Sequence, residues 1–162
     1  MKNITALYCL FAGAFLGSAL HAQTAATEAA LKKKLIGEWR NTYVKVVMHT
    51  LNNSDSTSSF QADSTNWQQV LHIKPIRTHF KSDGTYYSEY RNLNDSIVRM
   101  PKGTWGIKGD TITMVQLSPG KSSYKMHVSI TNNIATFAGL IDFDGDGKDD
   151  DEYYGMQKKQ GQ

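Results

Sequence analysis

The feature that most constrains the fold is a series of turn dipeptides set between β-prone runs. Asp83-Gly84 separates Thr78–Lys81 from Thr85–Tyr90, and Gly109-Asp110 separates Thr104–Ile107 from Thr111–Leu117. Asn132-Asn133 separates Tyr124–Ile130 from Ile134–Ile141, and Gly145 and Gly147 turn the chain into Tyr153–Lys158. Glycine and asparagine tolerate the positive φ that tight hairpins need, so each site predicts two antiparallel neighbours. Connections this short leave no room for parallel crossovers. The chain is therefore expected to be all-β, an antiparallel up-and-down meander of about eight to ten strands. An open meander exposes two edges, and closing it removes them, so a β-barrel is expected rather than a sandwich.

Within this frame the side-chain pattern assigns faces. Tyr124, Met126, Val128 and Ile130 alternate with Lys125, His127 and Ser129, a period of two that buries one face and wets the other. Trp39 to Met48 is β-prone throughout. Trp39, Tyr43 and Val47 share one face, while Val44, Val46 and Met48 fill the other. Ala25 to Ile36 is the one convincing helix, with Thr24 or Thr27 to cap its start and Gly37 to end it. Asn52 to Ser59 is polar and aperiodic and is expected to be a loop. Pro75 and Pro101 mark strand boundaries or an edge.

The N-terminus predicts export. Lys2 precedes the apolar run Ile4 to Leu20, and small residues lead to a cleavage point after Ala22, so residues 1–22 read as a signal peptide. The only cysteine, Cys9, lies within that run, leaving residues 23–162 without a thiol and excluding disulfides and cysteine-ligated zinc. That remainder has the length of one domain and no second apolar run long enough to span a bilayer. Its charge is uneven. Seven of the 15 acidic residues fall between Asp142 and Glu152; outside that stretch and the signal peptide, 16 Lys/Arg face 8 Asp/Glu. A basic body can favour an anionic ligand and can equally be a solvated surface.

Three short segments in order resemble a known family. A helix followed by Gly37-Glu38-Trp39 looks like the Gly-x-Trp start of the lipocalins. Phe80-Lys81-Ser82-Asp83-Gly84-Thr85-Tyr86 and Gly103-Thr104-Trp105-Gly106-Ile107-Lys108-Gly109-Asp110 are similar to small bacterial lipocalin-like domains. The chain departs from animal lipocalins in lacking their Thr-Asp-Tyr motif. It also lacks the closing arginine, whose place Lys158 or Lys159 could take only in part. The resemblance implies a lipocalin-like barrel holding a small, largely apolar molecule. Trp39, Tyr43, Trp105 and Phe137 are the expected core or lumen residues, and Arg77 is the candidate for a weakly anionic end of the ligand.

The sharpest local motif is Asp142-Phe143-Asp144-Gly145-Asp146-Gly147-Lys148-Asp149-Asp150. Asp142, Asp144, Asp146 and Asp150, with the Lys148 carbonyl, could surround calcium, which takes six to eight oxygens in a flexible shell. Tyr153 stands where an EF-hand carries its bidentate glutamate, and strands flank the loop. These nine residues are similar instead to the calcium-binding hairpins of FG-GAP repeats. A solvated acidic turn is the plainer alternative.

Catalytic signatures are missing. His49, His72, His79 and His127 have no metal-ligand spacing, no Gly-x-Ser-x-Gly elbow occurs, and Glu38 and Glu89 are the only mid-chain glutamates. Lys74, Arg77, His79 and Lys81 form a basic stretch that could sit at a barrel mouth, with Tyr86, Tyr87 and Tyr90 on its wall or rim; nucleic acid is not an expected partner of an exported protein. The expectation is an exported, non-catalytic binding protein with a calcium-stabilised hairpin. A structural or interaction module with a filled barrel is the alternative.

Overall fold

The computed structural model describes residues 14–49 and 56–161; most of the expected export signal and residues 52–55 of the expected loop lie outside the described residues. Helix α1 (Ala14–Leu35) leads into β1 (Gly37–Met48), β2 (Ser58–Asp63), the short helix α2 (Trp67–Leu71), β3 (Arg77–Phe80), β4 (Thr85–Arg91) and β5 (Ile97–Arg99). Then follow β6 (Lys102–Lys108), β7 (Thr111–Ser118), β8 (Ser122–Thr131), β9 (Ile134–Ile141) and β10 (Asp151–Lys159). From β3 onward each long strand pairs with the next long one, antiparallel. β10 then pairs with β1 and β1 with β3, closing a barrel of eight strands. β2 extends the upper half of β1, and β5 is a short flap on β4.

The turns follow from their residues. Asn132 and Asn133 both adopt positive φ, the backbone of a two-residue hairpin, joining β8 to β9. At the β3–β4 turn Gly84 takes φ +81°, and Asp83 Oδ1 accepts from Thr85 N at 2.9 Å and Thr85 Oγ1 at 2.7 Å.

Helix α1 starts well before the expected Thr24 or Thr27 and runs through both. The residues ahead of Thr24 are rich in Ala and Leu and contain no proline, so nothing in them interrupts the helix. Part of the expected polar loop, Ser58 and Ser59, belongs instead to β2, where pairing with Met48 and Val47 overrides weak strand propensity. Among the described residues no helix is long and apolar enough to cross a membrane.

The lower end of the barrel is filled. Leu35 of α1 packs with Trp39, Phe80, Trp105, Ile112 and Val128 in one buried cluster. Trp39 is fully buried, and its indole Nε1 donates to Leu35 O at 2.7 Å, tying helix to barrel. Lys159 lays its ammonium over the Trp39 ring at 5.3 Å and donates to Lys34 O at 2.7 Å. Glu28 reaches the lower β6–β7 turn, accepting from Gly109 N at 3.0 Å. The helix therefore plugs this end, and the connections β4–β6, β7–β8 and β9–β10 ring the other.

Candidate functional site

The upper half of the barrel is hollow. A cavity of about 510 Å³ opens among those connections, with Phe80, Tyr86, Met126 and Phe137 reaching into its lower part and Leu71 and Ile73 beside α2. This volume lies within the range of small-molecule pockets. Trp39 and Trp105, expected at core or lumen, lie outside the lining. Trp105 is buried edge-on against Phe80, ring centroids 5.4 Å apart, and donates to Thr85 O at 3.0 Å and Lys81 O at 3.2 Å. Phe137 does line the cavity.

Tyr43 and Arg77 are placed elsewhere than expected, for identifiable reasons. The β1–β10 register shifts between Asn41 and Tyr43, a bulge at Thr42. It moves the inward phase from Trp39 and Asn41 to Val44 and Val46. Tyr43 consequently points outward, edge-on to Tyr154 with centroids 5.9 Å apart. Arg77 is exposed because Thr78 and Phe80 take the inward positions of β3. It opposes Glu89 on the outer surface, where His79 stacks on Tyr87 at 4.3 Å. The cation that does line the cavity is Arg99 of β5, 5.6 Å above the Tyr90 ring.

Among the described lining residues only Arg99 and Asp142 are ionic, and both sit at the rim. The wall carries phenols held in their neutral form. Burial, reinforced by Tyr124 and Tyr90, pushes the Tyr86 hydroxyl up to about 12, and burial likewise raises Tyr90 and Tyr153. Thr78 and Ser88 satisfy each other at 2.9 Å, and Gln116 donates to Pro119 O.

Three polar groups in the lining are left over. Asn41 Oδ1, Gln157 Oε1 and Trp67 Nε1 are buried without a hydrogen-bond partner. Asn41 and Gln157 face each other across β1 and β10 and are 5% and 9% exposed; Trp67 is 2% exposed. An unpaired buried group of this kind costs about 1–3 kcal/mol. Sequence reading missed all three, because an isolated Asn or Gln in a strand carries no signal until the register is known.

The acidic loop borders the same opening, with Asp142, Phe143 and Gly145 in the lining. Asp142 accepts from Gly145 N at 2.8 Å and Gly147 N at 3.1 Å, Asp144 from Asp146 N at 3.0 Å, and Asp146 from Lys148 N at 2.9 Å. Carboxylate oxygens of Asp142, Asp144 and Asp151 lie within 4.8 Å of one another. Asp146 and Asp150 are outside this triad, and Lys148 directs its ammonium to Asp146 at 3.3 Å. Asp151, not among the expected ligands, is fully buried. It accepts from His49 N at 2.9 Å, Phe143 N at 2.7 Å and Asp144 N at 3.1 Å, fastening the loop to β1. Asp144 Oδ2 is buried and unpartnered.

Neither the protein-family models nor the curated proteins compared with this chain match it. The functional reading therefore rests on the cavity and its rim.

Proposed function

We propose that the protein is an exported, non-catalytic binding protein that holds one small, largely apolar molecule in the upper half of its barrel. The observation that carries this is the cavity, plugged below by α1, open above, and lined mainly by apolar side chains and phenols with a minority of amides and hydroxyls. An eight-stranded barrel either fills its interior or leaves room for one small ligand, and here the lower half is filled and the upper half is not. Among the described lining residues the one carboxylate, Asp142, sits at the rim and the interior carries no histidine, lysine or glutamate, which supports a binding reading. The resemblance of the Gly37-Glu38-Trp39, Phe80–Tyr86 and Gly103–Asp110 segments to lipocalin-like domains supports the same reading, and the N-terminal apolar run supports export.

Calcium is the second part of the proposal. Asp142, Asp144 and Asp151 would supply carboxylate oxygens, and the free Asp144 Oδ2 suits a hard cation. The ion would brace the β9–β10 connection beside the cavity.

Native mass spectrometry of residues 23–162 purified from an oxidising export compartment with calcium tests both parts. Organic mass lost on denaturation, together with calcium adducts, is the expected result. A bare polypeptide that also fails to bind N-phenyl-1-naphthylamine, a neutral apolar fluorophore, overturns the carrier reading in favour of an interaction module.

A further inference from the structure

We infer that the outer wall of the barrel around β1 is a binding surface for an acidic polysaccharide, a chain of sugars bearing carboxylate or sulfate groups. The inference is independent of the cavity, which lies on the inner face of the same strands. Its first basis is a row of cations. Arg40 of β1 stands directly opposite Arg77 of β3 on one side and Lys158 of β10 on the other, and all three are exposed. Neighbouring strands are about 4.8 Å apart, so the three positions fall within about 10 Å along a line across the sheet. Like charges set opposite one another disfavour a sheet, a cost that an anionic chain lying across the row offsets. The nearby acids are engaged elsewhere. Glu89, across from Arg77, takes the Arg91 guanidinium at 2.9 Å, and Glu38, next below Arg40 on the outer face, meets His79 at 3.9 Å. Asp95, whose charge Arg77 feels, is held by Lys74 at 3.0 Å. Among the described residues none of Arg40, Arg77 and Lys158 forms a salt bridge.

The second basis is the surface beside the row. Above it the outer face of β1 continues with Tyr43 and Lys45, and Lys45 is exposed opposite Tyr154 of β10. Tyr43 and Tyr154 meet edge to face with ring planes 74° apart, and Tyr154 is 41% exposed. From Arg40 to Lys45 the strand runs about 15 Å, so cations flank the rings at both ends. The electron-rich face of an aromatic ring packs against the C–H face of a sugar, while Arg and Lys pair with its acidic groups. One acid, Asp63, lies opposite Tyr43; its Oδ1 accepts from Thr65 N at 2.8 Å and Thr65 Oγ1 at 2.6 Å. Single-stranded nucleic acid fits less well, because successive bases stack on successive parallel rings and two perpendicular rings offer one platform. A flat bilayer touches a convex barrel wall along a strip, whereas a flexible chain crosses β3, β1 and β10 and reaches all three cations.

Isothermal titration calorimetry of the purified protein with alginate, dextran sulfate, neutral dextran, a single-stranded thymidine oligonucleotide and phosphatidylglycerol vesicles is the test. Alginate or dextran sulfate is expected to bind, the preference between them telling carboxylate from sulfate, and neutral dextran is not. With three or four charges neutralised, affinity should fall about tenfold between about 50 and about 150 mM NaCl. The triple variant Arg40→Gln/Arg77→Gln/Lys158→Gln should lose about tenfold, the sum of three exposed charge contacts. Tyr154→Ala should lose about threefold through the missing ring face. Lys108→Gln/Lys121→Gln/Lys125→Gln removes the same charge from exposed positions on β6, the β7–β8 connection and β8. Lying beyond the screening length, it should stay within about twofold of wild type. The wild-type panel stands even if a variant does not fold. No binding of either acidic polymer, equal binding of neutral dextran, or tighter binding of the oligonucleotide or the vesicles overturns the inference. So do equal losses in the two triple variants, or no loss in Tyr154→Ala. Each of these results leaves the carrier reading of the cavity standing.

Discussion

Two glycines three residues apart on β6 should respond oppositely to the same substitution. Gly103 and Gly106 both belong to the segment that resembles lipocalin-like domains, yet their surroundings differ. A Cβ on Gly103 would lie 1.9 Å from Val115 O, 2.8 Å from Val115 C and 3.0 Å from Gln116 Cα, all backbone atoms of β7. No side chain can rotate away, so β6 and β7 must separate by about an ångström where their register already shifts beside Lys102. Overpacking of this kind costs about 1–3 kcal/mol, and the backbone obstacle puts Gly103→Ala at the upper end. A Cβ on Gly106 meets nothing within 4 Å. Gly106→Ala should therefore be neutral or add up to about 1 kcal/mol by restricting the unfolded chain. In a domain of this size about 1 kcal/mol moves the Tm by about 3–4 °C, so Gly103→Ala should melt about 7–12 °C low and Gly106→Ala at or slightly above wild type. Thermal denaturation followed by circular dichroism measures both. A Gly103→Ala variant within 1–2 °C of wild type, or equal losses for both, would refute the β6–β7 packing described here.

Three further outcomes follow from the packing of the barrel. Trp39→Phe removes the buried donor to Leu35 O and weakens the Lys159 contact; urea denaturation should report a loss of about 1–3 kcal/mol, and an unchanged midpoint would mean the helix plug contributes nothing. The Tyr86 hydroxyl lies at about 12 when folded against about 10 unfolded, so its contribution is complete below pH 10 and falls by about 1.4 kcal/mol per unit up to pH 12, with Tyr90 and Tyr153 acting in the same sense. Denaturation midpoints flat from pH 9 to about 11.5 would contradict the burial of these phenols. If the acidic loop holds calcium with a Kd of about 10⁻⁴ M, about 10 mM calcium should stabilise by about 2.7 kcal/mol. Asp144→Asn should abolish that increment, and a calcium-independent Tm in the wild type would remove the ion from the proposal.

Much of the fold was legible because turn chemistry is local. Asn132-Asn133 and Asp83-Gly84 announce their hairpins in two residues, and a succession of hairpins leaves few topologies besides a closed meander. The alternation of Tyr124 to Ile130 likewise put Met126 and Val128 inside, where they are. What stayed hidden depends on partners distant in sequence. Ser58 and Ser59 are strand residues only because β1 offers an edge beside them. Helix α2 is too short for a period to register, and the helix-prone residues ahead of Thr24 hide where α1 starts.

The candidate site was the least legible part, and one residue accounts for much of that. A strict period of two from Trp39 puts Asn41, Tyr43 and Lys45 inside; the bulge at Thr42 leaves Asn41 there and replaces Tyr43 and Lys45 with Val44 and Val46. Because a one-residue slip exchanges the two faces of a strand, this bulge decides whether the β1 lining above Asn41 is the ring of Tyr43 or the side chain of Val44. Below it, Trp39 joins a filled core that needs only apolar volume. Above it, the barrel keeps open space, whose lining gives up the packing contacts that the filled lower half makes.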